Sequence, residues 1–189
     1  SETFTVFEPT ELTVIGSATD VSCFGGNDGA VSIDVNGGTP GYSFAWTGGS
    51  TDEDISMLIA GDYTVVVTDA NNCTATELFT VSEPDILAAT AVSEDISCYG
   101  LSDGSITLTV AGGTMDYSFA WTNGETTQNI SGLAADTYGV TITDANGCAV
   151  DYSYVIIEPT LLEVTGIATD LGCYGTQTGA IDITVLGGT

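Results

Sequence analysis

One phrase recurs along the chain: CFGGNDGAVSIDVNGGT from Cys23, CYGLSDGSITLTVAGGT from Cys98 and CYGTQTGAIDITVLGGT from Cys173. The interval is 75 residues, and residues 10–84 align with 85–159 without a gap at 32 identities in 75. Repetition at this period constrains the fold more than composition does, because each copy must bury a core alone or share one with a neighbour. A unit this short buries a modest fraction of its surface, so covalent help is expected. The domain plan is the tail of one copy at 1–9, complete copies at 10–84 and 85–159, and the head of another at 160–189. The expectation is a segment of a longer array.

Within each copy the apolar residues recur every second position, which is the mark of half-buried strands. Val31, Ile33 and Val35 alternate with Ser32 and Asp34; Ile106, Leu108 and Val110 alternate with Thr107 and Thr109; Ile181, Ile183 and Val185 alternate with Asp182 and Thr184. Tyr42, Phe44 and Trp46 share one face, as do Tyr117, Phe119 and Trp121, and Tyr63, Val65 and Val67. No stretch keeps a helical period. Turn chemistry separates the strands: Gly37-Gly38-Thr39, Gly112-Gly113-Thr114, a hairpin signal at Asn123-Gly124, and the Asp-rich runs Asp69–Cys73 and Asp144–Cys148. Each copy closes on Glu-Pro, at Pro9, Pro84 and Pro159, which makes a short stiff joint. Six or seven short strands in 75 residues predict an all-β fold, a tandem array of immunoglobulin-like β-sandwiches, with Trp46 and Trp121 in the cores.

Composition narrows the partners. The chain has 26 acidic residues, no Lys, no Arg and no His, for a net charge of −26. Such a surface repels nucleic-acid phosphate and anionic lipid, so neither is an expected partner. Hydrophobic residues make up 43% of the chain, too many for an acidic disordered segment. No apolar run is long enough to span a membrane, and Ser1 begins no signal segment, so any export signal is expected elsewhere.

Catalysis has little to work with. Asp52, Glu53 and Asp54 would suit a carboxylate pair, but the next copy replaces them by Thr127, Gln128 and Asn129. No enzyme is expected. Calcium is the sharper idea for clustered oxygen ligands. Asp20, Asp95 and Asp170 recur in three copies and Asp69 and Asp144 in two, yet Asp also terminates turns, and no spacing matches a calcium loop. Turn capping is the expectation, with no metal and no cofactor. The glycosylation sequons at Asn72 and Asn129 carry little weight.

Cys23, Cys73, Cys98 and Cys148 read as disulfide cysteines, hence an oxidising, extracellular setting. Which pairs form depends on strand count. If residues 50–58 make one strand, Cys23 and Cys73 lie at the same end of the sandwich; if they make two, the cysteines lie at opposite ends and neighbouring copies could be joined as Cys23–Cys148. The segment has room for one good strand, so the predicted pairs are Cys23–Cys73 and Cys98–Cys148, with the partner of Cys173 beyond Thr189.

The combination of Cys-aromatic-Gly, Asp-Gly, an alternating strand, Gly-Gly-Thr, Tyr-Ser-Phe-Ala-Trp and Asp-Ala-Asn-x-Cys resembles the SprB-type repeat of the giant cell-surface adhesins of gliding Bacteroidota. The likeness covers nearly the whole chain; the third copy departs at Thr178, where the others have Asp28 and Asp103. The resemblance implies export by type IX secretion and transport along the cell surface by the gliding machinery, through other parts of the parent chain. The implied role is a stalk segment of a filamentous surface adhesin that contacts an external surface or polysaccharide. The rivals are a calcium- or glycan-binding repeat and an accessory module of a secreted enzyme.

Overall fold

A computed structural model describes residues 2–4, 8–175 and 177–189. The described residues form strands and turns, without a helix. The chain divides into two compact units, Ser1–Leu87 with Gly112–Thr114, and Ala88–Ala111 with Met115–Thr189.

In the first copy the strands are β1 (Thr13–Thr19), β2 (Gly29–Asn36), β3 (Ser43–Trp46), β4 (Ile55–Leu58), β5 (Gly61–Thr68) and β6 (Thr74–Val81). They form two antiparallel three-stranded sheets, ordered β1-β2-β4 and β3-β5-β6. This is the two-sheet division of an immunoglobulin-like sandwich. The alternation in β2 does what period two requires. Val31 and Ile33 are buried while Ser32 and Asp34 face solvent. Val65, Val67, Phe79 and Val81 meet them from the other sheet around Trp46. Each such side chain contributes about 1.5–3 kcal/mol when fully buried. Phe44 and Tyr42 pack half-buried against this core, and the rings of Trp46 and Phe79 lie 6.1 Å apart.

The second copy repeats the plan with β7 (Ala88–Glu94), β8 (Gly104–Ala111), β9 (Ser118–Trp121), β10 (Ile130–Leu133), β11 (Asp136–Thr143) and β12 (Ala149–Ile156). Its sheets are β7-β8-β10 and β9-β11-β12, enclosing Ile106, Leu108, Trp121, Val140, Ile142 and Ile156. In the third copy β13 (Glu163–Thr169) pairs with β14 (Ala180–Leu186). Glu163 faces Leu186 there as Thr13 faces Asn36 in the first copy, so the register is the same.

A tyrosine corner fixes each sandwich. Tyr63 opens β5 and its hydroxyl donates to the Ile59 carbonyl at 3.0 Å; Tyr138 makes the same bond to Ala134 at 3.0 Å. Immunoglobulin-like domains use this device where the chain crosses between sheets.

One expectation about strand connections needs correction. Residues 50–58 hold one strand, β4, but β4 runs in the same direction as β3. Both are antiparallel to a common frame: β3 pairs with β5, and β4 pairs with β2 with Leu58 opposite Gly29. The segment 47–54 must therefore travel back along the sandwich as an irregular pass. It does so without a ladder. The Trp46 indole donates to the Asp52 carbonyl at 2.9 Å, and the Asp54 carboxylate accepts the Ile33 amide of β2 at 2.9 Å. Asn123-Gly124 makes the tight turn expected of it, with the Gly124 amide donating to the Trp121 carbonyl at 2.9 Å and the Trp121 amide to the Glu125 carbonyl at 3.0 Å, while β9 itself pairs with β11.

Candidate functional site

The residues singled out for chemistry gather at the two ends of each sandwich. At the leading end of the first copy, the incoming chain passes under the Gly-Gly turn, and the Gly38 amide donates to the Thr10 carbonyl at 2.8 Å. A Cβ on Gly37 would sit 1.9 Å from the Glu11 carbonyl oxygen, at a φ of 73°, so only glycine fits. Asp69 is buried beside it. One carboxylate oxygen accepts the Thr39 amide at 2.8 Å, and the other accepts the Asn71 and Cys73 amides at 2.9 and 2.8 Å. These bonds, that from Thr39 foremost, hold its carboxyl below the ordinary value of 3.8. Asp144 takes the Asn146 and Cys148 amides in the same way, each at 2.9 Å.

The trailing end is built on the Cys-aromatic-Gly turn. The Gly26 amide donates to the Cys23 carbonyl at 2.9 Å. Asp28 accepts the Ser22 amide at 3.0 Å and the Ser22 hydroxyl, and the hydroxyl above all lowers its carboxyl pKa. Asp103 and Ser97 repeat this arrangement with the same consequence. In the third copy the Thr178 hydroxyl accepts the Gly172 amide at 3.3 Å, a neutral substitute in the same place. Asp20 accepts the Ser82 amide at 2.7 Å and Asp95 the Ile157 amide at 3.0 Å, tying this turn to the last strand of each copy.

The glutamate of each Glu-Pro joint also belongs here, a role that sequence reading missed. Glu83 accepts the Gly25 amide at 2.7 Å, and Glu158 accepts the Gly100 amide at 2.9 Å. The joint is thus fastened to the end of the copy that it leaves. A spacing of 58 residues between Glu83 and Gly25, reproduced between Glu158 and Gly100, was the only available signal.

The calcium candidates are split between the two ends: Asp20 and Asp95 at the trailing end, Asp69 and Asp144 at the leading end. Their oxygens accept backbone amides, as turn caps do. Among the described residues no three His, Cys, Asp or Glu side chains converge on one point. Asp52, Glu53 and Asp54 lie in the irregular pass, where the Asp52 backbone and the Asp54 side chain serve the fold. The second copy keeps both bonds, from the Trp121 indole to the Thr127 carbonyl at 2.8 Å and from the Leu108 amide to Asn129 at 2.9 Å.

The predicted disulfide pairing is overturned. Cys23 and Cys148 are each in a disulfide, whereas Cys73 and Cys98 are exposed free thiols, so neither predicted pair forms. The reason is the irregular pass. Cys23 precedes β2 at the trailing end, and Cys73 follows β5 at the leading end, beside Asp69. An eight-residue strand separates those ends by roughly 23 Å, while disulfide Cα atoms lie within about 7 Å. Each free thiol lines a cleft at its own end. Cys73 shares one of about 310 Å³ with Glu8, Pro9, Glu11 and Gly38. Cys98 shares one of about 390 Å³ with Pro159, Leu161, Leu162 and Gly188.

The family model described as the SprB repeat matches residues 15–51 and 90–126, from β1 through the Tyr-Ser-Phe-Ala-Trp strand in each copy. The two matches fall at corresponding positions of the two complete copies. A comparison with curated protein sequences finds no match. Solved structures similar in fold include the Sidekick-1 immunoglobulin domains 1–5, at 11% identity and a TM-score of 0.41 over 96% of this chain and 46% of that one. The amphioxus IgVJ-C2 molecule matches at 16% identity and a TM-score of 0.32, over 75% of this chain and 96% of that one. A Dscam structure matches at 13% identity and a TM-score of 0.31, over 67% of this chain. The chain spans 40% of the Dscam chain and less than half of the Sidekick-1 chain. The immunoglobulin-like fold of the two complete copies rests on their sheet order and tyrosine corners. No helix among the described residues is long and apolar enough to cross a membrane.

Proposed function

We propose that these SprB repeats form a stalk segment of an extracellular filamentous adhesin that serves gliding motility. SprB repeats and an immunoglobulin-like fold support a repeat module of a surface adhesin. The observation that carries the mechanical reading is the fastened joint. Glu83 and Glu158 each bond the backbone of the turn at the end of their own repeat, and each is followed by a proline that fixes φ. A linker built this way holds spacing instead of coiling. The role is mechanical in this reading: of the acids that could act as a pair, Asp54 is engaged by the Ile33 amide, and all three are replaced in the next copy. In this reading the parent protein leaves the cell by type IX secretion, couples to the gliding machinery elsewhere and meets an external surface or polysaccharide. A net charge of −26 keeps neighbouring stalks apart.

Small-angle scattering on chains of two, four and six repeats tests the stalk. Maximum dimension should grow linearly with repeat number, and growth near the square root would overturn it. Halving the repeat number in the parent adhesin of a gliding bacterium tests the motility role. Shorter surface filaments with impaired gliding are expected; unchanged gliding would remove the motility assignment.

A further inference from the structure

We propose that the first repeat carries a binding cleft for an uncharged glycan, formed by the irregular pass 47–54 against β4 and the start of β5. Every residue of the cleft belongs to one sandwich. It encloses about 310 Å³, at the small end of the range for ligand pockets. The covered part of its lining is apolar: Ile55 is buried, and Leu58 and Tyr63 are half-buried. The exposed part carries hydroxyls and carboxylates. A mixed lining of this kind grips a ligand by its apolar faces and orients it through a few polar contacts.

The fold leaves some of those polar groups unused. Asp52 accepts the Ser50 hydroxyl at 3.4 Å through one oxygen, and Asp54 accepts the Ile33 amide at 2.9 Å through one. Among the described residues, each keeps a second carboxylate oxygen without a partner. The second repeat maintains the same pass with Thr127 and Asn129 in these places. Neither carboxylate is therefore required by the pass.

Met57 sets this cleft apart. Its backbone sits at a φ of 59°, in the left-handed region that a side chain of this size rarely adopts. The second repeat meets the same position with Gly132, at a φ of 72°. Glycine is thus all that the strand irregularity asks for. The methionine is 80% exposed, so it adds nothing to the core. A strained backbone that carries an exposed, adaptable thioether suits contact with a ligand, not packing.

Charge and geometry select the ligand. A net charge of −26 turns away anionic polysaccharide. Among the described residues no three His, Cys, Asp or Glu side chains converge to hold a metal ion. Sugar hydroxyls donate to ionised carboxylates, and such charge-assisted bonds are roughly twice as strong as neutral ones. The Tyr63 hydroxyl is occupied by the Ile59 carbonyl, so the C–H faces of a sugar meet its ring edge and the Met57 thioether. The cleft would supply a contact for the surface adhesin proposed above. A stalk that lengthens linearly yet binds no sugar would remove the cleft alone.

The chain has two methionines, Met57 and Met115, and Met115 lies in the other compact unit. The test labels their methyl groups with carbon-13 in the whole chain and follows both signals by NMR. Cellotetraose, mannotetraose, galactotetraose and tetra-N-acetylchitotetraose are the neutral probes, and the chitosan tetramer is the cationic one. At least one neutral sugar should shift the Met57 signal saturably, at one site per chain, and leave Met115 unmoved. Asp52→Ala and Asp54→Asn should each weaken binding about tenfold, the worth of one hydrogen bond to a charged group. Met57→Gly should weaken it about fourfold, the worth of one buried methylene, without lowering thermal stability. Urea unfolding of the same variants separates lost binding from lost fold. No shift with any neutral sugar, a shift with the chitosan tetramer alone, two equal sites per chain, or unchanged binding in all three variants would overturn the proposal.

Discussion

The irregular passes 47–54 and 122–129 do the same work with different side chains, whereas the end turns keep theirs. Asp52, Glu53 and Asp54 become Thr127, Gln128 and Asn129, yet each indole still donates to a backbone carbonyl and each β2-type strand still gives an amide to a side-chain oxygen. At the ends, Asp20, Asp28 and Asp69 return as Asp95, Asp103 and Asp144. The difference is in what accepts the bond. A backbone carbonyl is present whatever the residue, and an amide oxygen can replace a carboxylate at a single amide. A cap that takes three amides at once, as Asp69 does, needs both carboxylate oxygens. Asp20 and Asp95 are retained for a single amide each, so acid retention follows the place at the sandwich end and not the amide count alone.

That comparison can be broken by substitution. The largest effect should come from the anchor of the pass itself: Trp46→Ala should destabilise the first repeat by about 3–5 kcal/mol in urea unfolding followed by circular dichroism. Next comes the cap. Asp69→Ala strands three amides beside a buried site and should cost about 2–3 kcal/mol. A loss under about 0.5 kcal/mol would mean that the three amides find other partners without the cap. Tyr63→Phe removes one hydroxyl bond and should cost about 1 kcal/mol.

Acid titration sharpens the same contrast. The carboxyls of Asp28, Asp69 and Asp103 lie below their ordinary value because hydroxyl or amide donors hold the ionised form. A group with a depressed folded pKa adds stability that is complete above its unfolded pKa, about 3.9, and disappears as pH falls through the folded value. Stability from these caps should hold down to about pH 5 and decline below about pH 4. Asp69→Asn should flatten that decline. The smallest effect belongs to the pass: Asp52→Ala and Asp54→Asn should each fall within about 0.5 kcal/mol of the parent chain. A larger cost for Asp54→Asn would mean that charge matters where the second repeat manages without it.

Much of the sandwich was legible because period two is a direct image of a strand with one buried face. Val31, Ile33, Val65 and Val67 point inward as alternation requires, and the tryptophans occupy the cores. The immunoglobulin-like reading held for the same reason. What the sequence concealed was direction. Residues 47–54 reverse the chain without apolar alternation, since an indole and one carboxylate replace the ladder, and periodicity cannot register a pass that has no ladder. The cysteine pairing failed as a direct consequence, because counting strands gave the wrong end for Cys73. The anchoring role of Glu83 was hidden differently: its partner is a backbone amide, which leaves no trace in residue type.

The neighbours of the two terminal strands bear on how a repeat resists load. In the first repeat β1 lies against β6, and the Val21 amide donates to the Ser82 carbonyl where both strands finish. The two strands run parallel, so the chain enters at one end of the pair and departs at the other. With the disulfides reduced, tension along the chain slides β1 past β6 in shear, and their lateral contacts must yield together. A hairpin pulled from its open end peels one bond at a time instead. Forced unfolding is governed by the unfolding rate, so the parallel seam sets the lifetime of a repeat under tension independently of its equilibrium stability.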